Sequence, residues 1–433
     1  PAGWLSDCDF IRDGLGYEKR ITEEDADKLE GLQGRNDDDY TIYLKDKGLL
    51  HLREDKVLAE QYARFGHSRG QGVDAVANDL PADHTIEGWC AAETSRFIKN
   101  CVGENSPFVC WMTMPHPHQG YAPAREFWNL YDENELTLPP NADSDFSGRH
   151  ETARNAREYY QTNEEWRLFE PGDWDSTRRR ILKGYYACVT QVDDAVGRVM
   201  KTLDDLGIRD NTIVIYSADH GEFAGEHGMV EKAPGIAFRC VTRIPFIASC
   251  PGFLPRDTVR NQIIESVDFL PTVASLAGVD SPDWCDGLDA SPVFLEGQSV
   301  KEEAFTEHPL SKTVHTERYK FTYYQKQMCS GKDFGELYDM IQDPWELNNL
   351  YFDPSYQDVV NDLRRRIVDW LITSSRHLTI GPSPYVWKGK DYGTWDLAEQ
   401  LYDEDGRLGK GYFDRILSFK DGKTTKVNPI NYL

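Results

Sequence analysis

The chain has 433 residues, and with 39% hydrophobic and 12% aromatic side chains it can build the core of a globular protein. Its formal net charge of −25 excludes a surface that attracts nucleic acid or anionic membrane, and no apolar run reaches the length of a membrane span. Nine cysteines, none of them in a C-x-x-C pair, argue against a zinc knuckle and a dense disulfide framework.

The amino-terminal third begins with a polar stretch, residues 1–80, which indicates loops and short helices. The segment TIEGWCAAETSRFIKNC at 85–101 predicts a helix, and the apolar run PFVCWMTM at 107–114 predicts a buried strand. A long amphipathic helix is predicted over 178–206, because apolar residues recur there at three- and four-residue steps and Gly207 can end the helix.

Two further apolar strands are predicted, NTIVIYS at 211–217 and IPFIASC at 244–250, and a helix ending at Gly278 follows them. Apolar strands that alternate with helices predict an α/β fold with a mostly parallel sheet sandwiched by helices. Ligands of such sheets bind beyond the carboxyl ends of the strands. We therefore expect two histidine-bearing loops on one rim, PHPH after 107–114 and ADHGE after 211–217.

Beyond residue 300 the pattern changes to antiparallel strands, RYKFTYY and ELYDM, and then an amphipathic helix, DVVNDLRRRIVDWLITS. The expected organisation is an α/β domain over residues 1–300, a small α+β subdomain over 301–375, and a tail over 376–433 that packs along the surface.

Asp219 and His220 stand side by side where the 211–217 strand ends. A carboxylate oxygen and an imidazole nitrogen so placed can both reach one divalent cation, although an Asp in a turn or helix cap gives the same local pattern. Lys232 follows in GMVEKAPG. It is either an ordinary solvated lysine or a fixed ammonium that neutralises developing negative charge on a transferred group.

His116 and His118 lie on a proline-stiffened loop, MPHPHQGY, where a histidine can donate a proton to a leaving group or simply be satisfied at the surface. A third pattern, GHSRG at 66–70, matches the G-x-S-x-G elbow of serine hydrolases. That elbow needs a strand before it and a helix after it, and neither flank fits, so a catalytic Ser68 is not expected.

Together these motifs resemble the sulfatases of the alkaline-phosphatase superfamily. The resemblance rests on the segment DNTIVIYSADHGEFAGEHGMVEKAPGIAFRCVTRIPFIASCPG, on PFVCWMTMPHPHQGY, on SVDFLPTVASLAGV, and on TERYKFTYY with ELYDMIQDPWELNNLY. It covers about residues 85–375 and implies an alkaline-phosphatase-like fold and hydrolysis of sulfuric esters, with a sulfated carbohydrate, polysaccharide or aryl ester as substrate.

The resemblance also implies roles for single residues. Asp219 and His220 would be ligands of one divalent cation, with calcium expected and manganese or magnesium as alternatives. Lys232 and His118 would bind the sulfate and act in catalysis, and His116 would be a further substrate-binding neighbour. His227, in the G-E-H-G turn, would have a structural role.

One departure from the family pattern is serious. The C/S-x-P-x-R motif, whose Cys or Ser becomes the formylglycine nucleophile, is absent, and CDFIR at 8–12 does not replace it. The first strand, with its paired metal aspartates, is absent as well. We therefore expect the chain to be the carboxyl-terminal part of a longer polypeptide whose upstream segment carries the formylglycine and acts as its partner.

Three functions follow as alternatives: a sulfatase completed by that segment, a phosphonate monoester or phosphodiester hydrolase of the same superfamily, and a non-catalytic fragment that binds a glycan or a partner. The Asp-His form of the metal motif also occurs in the phosphonate-cleaving relatives. The family resemblance favours a periplasmic or secreted location, with a cytoplasmic one as the alternative.

Overall fold

A computed structural model of the chain describes residues 39–52, 75–162, 174–232, 237–282, 285–308, 311–329 and 331–374, with two short strands at 386–387 and 390–391. The helices are α1 (Asp39–Asp46), α2 (Ile86–Gly103), α3 (Arg125–Trp128), α4 (Glu151–Thr162), α5 (Trp174–Asp205), α6 (Arg239–Thr242), α7 (Phe269–Leu276), α8 (Ser291–Glu296) and α9 (Gln357–Ser374). The strands are β1 (Val214–Ser217), β2 (Phe246–Ser249), β3 (Glu303–His308), β4 (Ser311–Thr316), β5 (Tyr319–Tyr324), β6 (Gly335–Asp339), β7 (Val386–Trp387) and β8 (Lys390–Asp391).

The chain falls into two compact units that divide between Arg364 and Arg365. The boundaries expected at residues 300 and 375 stay predictions. The second unit contains the end of α9 and the antiparallel pair β7–β8. No helix in the described part of the chain combines the length and the apolar character that a membrane span needs.

The helices α2 and α5 form the framework of the first unit, and both were predicted from the sequence. The side chain of Thr85 caps α2 by accepting a hydrogen bond from the Gly88 backbone N–H. Ile181, Leu182 and other apolar residues of α5 are buried at helical spacing. Shortly after α5 ends, Gly207 adopts a φ of +66°, a left-handed conformation that suits glycine.

The expected parallel sheet does not appear among the described residues. The strands β1 and β2 pair antiparallel, with Val214 opposite Ser249 and Ser217 opposite Phe246. A parallel pair needs a crossover that returns the chain to the same end of the sheet. The segment between β1 and β2 instead holds only short turns and the four-residue helix α6 among its described residues, so β2 runs back beside β1.

The prediction of a buried strand over 107–114 is also wrong for the described residues. Apart from a single bridge position at Phe108, this segment forms no strand with the described residues. The side chains of Val109 and Trp111 are 61% and 68% exposed. An apolar run predicts burial, but an extended segment becomes a strand only where a neighbour satisfies its backbone hydrogen bonds.

The carboxyl-terminal part of the first unit is a four-stranded antiparallel sheet in the order β3–β4–β5–β6. The antiparallel strands predicted from RYKFTYY and ELYDM are confirmed as β5 and β6, with Phe321 opposite Leu337. Across β4 and β5 the hydroxyls of Thr313 and Thr322 lie 2.9 Å apart and form a buried cross-strand hydrogen bond.

A buried ion pair joins this sheet to the rest of the unit. Lys320 of β5 and Glu346 are 3% and 2% exposed and pair with each other. The second carboxylate oxygen of Glu346 accepts a hydrogen bond of 2.8 Å from the Arg239 backbone N–H at the start of α6. The sheet is thereby fastened to the segment that follows the candidate metal turn.

Replacing Lys320 by Met should destabilise the protein by about 3–5 kcal/mol, because the buried Glu346 carboxylate loses its counter-charge. The double variant K320M/E346Q should recover much of that loss, because the amide introduced at position 346 is neutral and still accepts from Arg239. The matched control K312M removes an ion pair to the largely exposed Glu307 and should cost at most about 1 kcal/mol. Urea unfolding measures all three variants, and equal losses for K320M and K312M would contradict the assignment.

Candidate active site

The turn that carries Asp219 and His220 follows β1 directly and is fixed by the backbone of α6. The Gly221 N–H donates to the Val241 carbonyl at 2.7 Å, and the Glu222 N–H donates to the Cys240 carbonyl at 3.0 Å. A Cβ atom on Gly221 would lie 1.8 Å from the Cys240 carbonyl oxygen. Only glycine fits at this position, which explains the residue that follows the Asp-His pair.

The two predicted metal ligands face each other. The Nε2 atom of His220 lies 3.6 Å from Oδ2 of Asp219, whose side chain is 85% exposed. The Nδ1 atom of His220 lies 2.8 Å from the Gly221 carbonyl oxygen. Because a carbonyl only accepts, Nδ1 carries the proton of this hydrogen bond, and the Nε2 lone pair remains for a ligand.

An oxygen and a nitrogen at this spacing fit two positions around one divalent cation. Among the described residues, no group of three or more His, Cys, Asp or Glu side chains gathers to hold an ion. A cation bound by Asp219 and His220 would therefore need further ligands from elsewhere.

His118 and Lys232 come close to this turn. Burial and the positive charge of Lys232 lower the pKa of His118, and the charges of His220 and Asp219 also reach it. The Nδ1 atom of His118 lies 3.3 Å from the Gln119 carbonyl oxygen, which leaves Nε2 as the nitrogen that can meet a ligand. The fold thus brings the loop of His118 beside the loop that carries Asp219, His220 and Lys232, because Gln119 donates a hydrogen bond of 2.6 Å to Glu231.

His116 points away from this group, into the interior. Its Nδ1 atom lies 3.1 Å from Oε1 of Glu87, a fully buried carboxylate on α2. Gln191 of α5 donates to the other oxygen of Glu87 and accepts from the Ala124 N–H at 2.7 Å. Burial alone would lower the pKa of His116, but Cys188 and Glu87 raise that pKa well above its ordinary value. Through its contacts with Glu87 and Gln191, the His116 ring links its loop to α2 and α5.

Two half-buried carboxylates beside the site, Glu222 and Glu231, were not expected from the sequence. Burial raises the pKa of Glu222 to about 8, and the nearby Glu231 adds to this rise. Burial also raises the pKa of Glu231, against the opposing charge of Lys232. Glu231 accepts hydrogen bonds from Gln119 at 2.6 Å and from Tyr160 at 3.3 Å. The sequence gives one indication that Glu231 belongs to the site. It directly precedes Lys232, and its partner Gln119 directly follows His118.

The expected structural role of His227 agrees with its surroundings. The ring is fully buried, stacks on Phe238 at 4.2 Å, and has its Nε2 atom 3.1 Å from the Asn141 side-chain amide. Burial, reinforced by the charge of Arg149, lowers the pKa of His227 to about 2. The ring is therefore neutral at any ordinary pH.

Comparison with protein families decides the identity of the chain. The family model described as "Sulfatase" matches residues 62–279, just over half of the sequence. The chain belongs to the sulfatase family. A second model, "N-sulphoglucosamine sulphohydrolase, C-terminal", matches residues 225–372 of this sulfatase chain and overlaps the antiparallel sheet β3–β6.

Curated relatives are similar to this sulfatase chain at low identity. An ulvan-active sulfatase of Formosa agariphila is 25% identical, with 64% of this chain aligned to 50% of the relative. A choline-sulfatase of Rhizobium meliloti is 24% identical, with 76% of this chain aligned to 63% of the relative. The chain spans about half to two-thirds of the length of such relatives.

Solved structures give the fold. A structure in complex with its substrate D-glucosamine-2-N,6-O-disulfate matches with a TM-score of 0.57 at 22% identity, over 65% of this chain and 69% of the other. The phosphonate monoester hydrolase of Silicibacter pomeroyi matches with a TM-score of 0.59 at 19% identity, over 75% and 70%. The sulfatase chain therefore has the alkaline-phosphatase-like fold that its motifs predicted.

Some expectations fall outside the described residues. These are Ser68 in GHSRG, Cys8 in CDFIR, and most of the tail 376–433. The site roles of Asp219, His220, His118 and Lys232 stay predictions, and so does the substrate-binding role of His116.

The buried neutral His227 predicts a pH dependence of stability. Its folded pKa of about 2 lies below the ordinary value of 6.5, so below pH 6.5 only the unfolded chain binds the proton. Its contribution to stability is complete above pH 6.5 and is lost as the pH falls. Between pH 6.5 and 5.5 this loss amounts to about 1 kcal/mol.

The variant H227N tests this, because Asn tolerates the left-handed backbone of this position, at a φ of +55°. H227N should be less stable at pH 7, yet its stability should fall less steeply with decreasing pH. Urea unfolding at both pH values measures the difference in slope. Parallel curves for the two proteins would show that His227 does not titrate as its burial requires.

Proposed function

We propose that the complete protein hydrolyses the sulfuric ester of a sulfated carbohydrate or aryl compound, at a site to which this chain contributes Asp219, His220, His118 and Lys232. The observation that carries the proposal is that the loop of His118 meets the loop of Asp219, His220 and Lys232 through the Gln119–Glu231 hydrogen bond, beside one glycine-stabilised turn. Family membership supports the reaction class, because the curated relatives include several sulfatases.

The roles of the two basic side chains follow from their charge. Lys232 makes no ion pair or hydrogen bond within the described residues, and its ammonium is available to a sulfuryl oxygen. The contact of His118 Nδ1 with the Gln119 carbonyl leaves its Nε2 atom for a sulfuryl oxygen or for proton exchange with the leaving oxygen. Positive charge at this point also lets a protein of net charge −25 accept an anionic substrate.

A divalent cation, with calcium as the candidate and manganese or magnesium as alternatives, would be held by Asp219 Oδ2 and His220 Nε2. It would supply charge that polarises the sulfate. The 3.6 Å spacing and the lone pair left on His220 Nε2 support this assignment. Two ligands do not complete the shell of such a cation, so others must come from outside the described residues.

The remaining ligands and the formylglycine nucleophile would come from an upstream segment of the same polypeptide. The exposed apolar side chains of Val109, Trp111 and Ile247 support this, because they lie on the extended 107–114 segment and on β2. Large apolar side chains on such elements are normally covered by a neighbouring layer. The coding sequence before Pro1 provides a direct test, since C/S-x-P-x-R must occur there.

A second candidate is hydrolysis of a phosphonate monoester or phosphodiester at the same four residues. The Asp-His form of the metal motif favours it. A multifunctional alkaline phosphatase superfamily protein of Trinickia caryophylli is 23% identical, with 76% of this chain aligned to 66% of the relative. A tetrahedral phosphonate would meet the same cation and the same basic groups. Substrate competition therefore has to distinguish the two reactions.

The test assays the complete protein for sulfate release from a panel of sulfated sugars and aryl sulfates, with phosphodiesters and phosphonate monoesters in parallel. We expect sulfate release to dominate, and K232A to lower it roughly 100-fold or more, because a charge that stabilises the transition state is lost. Asp219→Ala should abolish high-affinity calcium binding in calorimetry. The control Asp205→Ala removes a largely exposed carboxylate of α5 and should change neither.

Failure to release sulfate from any ester of the panel would contradict the proposal. Faster turnover of phosphodiesters would favour the second candidate. Calcium content in D219A equal to that of the parent protein would overturn the assigned metal ligand, and an upstream reading frame without C/S-x-P-x-R would favour a non-catalytic binding fragment.

A further inference from the structure

One hydrogen bond connects the two loops that carry the basic groups of the site. The Gln119 side-chain amide donates to Oε1 of Glu231 at 2.6 Å, across 112 positions of sequence. Gln119 is the neighbour of His118, and Glu231 is the neighbour of Lys232. The bond therefore joins the residues directly beside the two groups proposed to bind the sulfate.

Glu231 is itself held in place on its other side. Its Oε2 atom accepts a hydrogen bond of 3.3 Å from the hydroxyl of Tyr160, a buried residue of α4. Its carbonyl oxygen accepts from the Phe223 N–H at 3.0 Å, which closes the turn after the metal motif. The Glu231 carboxylate is thus a fixed point rather than a mobile surface group.

The backbone of Glu231 shows that the side chain matters at this position. Its φ of +62° lies in the left-handed region, where glycine is the residue without strain. A non-glycine residue there costs on the order of 1 kcal/mol or more unless its surroundings compensate. Glu231 accepts hydrogen bonds from Gln119 and Tyr160, and these bonds offset the backbone strain. A glycine at this position has no side chain that could accept them.

The loop of His118 is fastened on both sides of the histidine. His116 is bound into α2 through the charge of Glu87, and Gln119 is bound to Glu231. The His118 N–H also donates to the Pro115 carbonyl at 3.0 Å, which makes the loop a tight turn. The position of His118 relative to Lys232 therefore depends on the Gln119–Glu231 bond.

Such a connection has an entropic reason. Two side chains on separate loops that bind one anion must be brought to the right spacing before or during binding. Without the Gln119–Glu231 hydrogen bond the two loops could move apart, and each substrate would have to bring them together again on binding. Loops that already have the right spacing avoid the free-energy cost of this rearrangement, and the affinity for the anion is higher as a result.

We propose that the Gln119–Glu231 hydrogen bond is a positioning device that holds His118 and Lys232 at the spacing a tetrahedral sulfate group requires. This inference rests on the proposed function, because it takes sulfate as the anion bound by these two residues. Gln119 and Glu231 act through their neighbours and need not touch the substrate.

The test measures the affinity for inorganic sulfate by calorimetry, in the calcium-supplied complete protein and its variants. Gln119→Ala should weaken sulfate binding about tenfold, the equivalent of one lost charge-assisted hydrogen bond. E231G should weaken it similarly with little change in the urea midpoint of unfolding, because glycine relieves the left-handed backbone and so offsets the lost hydrogen bonds. A merely structural role for Glu231 would not separate stability from affinity in this way.

Two further variants sharpen the result. The exchange Q119E/E231Q reverses donor and acceptor, since the amide introduced at position 231 can donate to the carboxylate introduced at position 119 and still accept from Tyr160. It should restore most of the affinity. The control Tyr160→Phe removes the other hydrogen bond of Glu231 and leaves the connection intact. It should therefore weaken sulfate binding less than Q119A does.

The outcomes separate this inference from the proposed function. If sulfate binds the parent protein no better than K232A, the proposed sulfate site is wrong, and the inference falls with it. If K232A loses sulfate while Q119A and E231G bind it like the parent protein, the site stands and the positioning role is overturned. Failure of the exchange to exceed Q119A in affinity would likewise overturn it.

Discussion

The close approach of Gly221 to the Cys240 carbonyl is the contact on which the candidate site depends. Because Gly221 has no side chain, the candidate metal turn can donate two backbone hydrogen bonds to the α6 segment, and α6 thereby fixes the position of Asp219 and His220. The α6 segment is in turn held by Glu346, whose charge is balanced by Lys320 of the antiparallel sheet. A carboxyl-terminal sheet that carries no proposed ligand therefore fixes the residues that do.

Charge around the site is arranged in two layers. The basic groups His118 and Lys232 are the proposed anion ligands, and Glu222 and Glu231 lie beside them in surroundings that raise their pKa values. A carboxylate with a raised pKa carries less negative charge, so it balances a neighbouring cation only in part. Glu231 also engages neutral donors rather than an ion pair, which leaves the ammonium of Lys232 unpaired within the described residues.

The sequence predicted the helices and the site loops better than the sheet. Apolar periodicity located α5, and local sequence patterns located α2 and the strands β5 and β6, because such signals act on each element separately. Periodicity does not show which neighbouring segment pairs with a strand. The direction of β2 relative to β1, and whether residues 107–114 form a strand, both depend on that neighbour. The Gln119–Glu231 contact was invisible for the same reason, since neither residue forms a motif and 112 positions separate them.

The two histidines of the PHPH loop show how the fold assigns roles that a motif leaves open. His116 and His118 are chemically identical and two positions apart, yet one lies against the buried Glu87 and the other beside Lys232. The surroundings move their pKa values in opposite directions, upward for His116 and downward for His118. The contacts of His116 with Glu87 and Gln191 tie its loop to two helices, whereas the Nε2 atom of His118 is left for the proposed ligand. The difference between the two histidines thus follows from which neighbours face each ring.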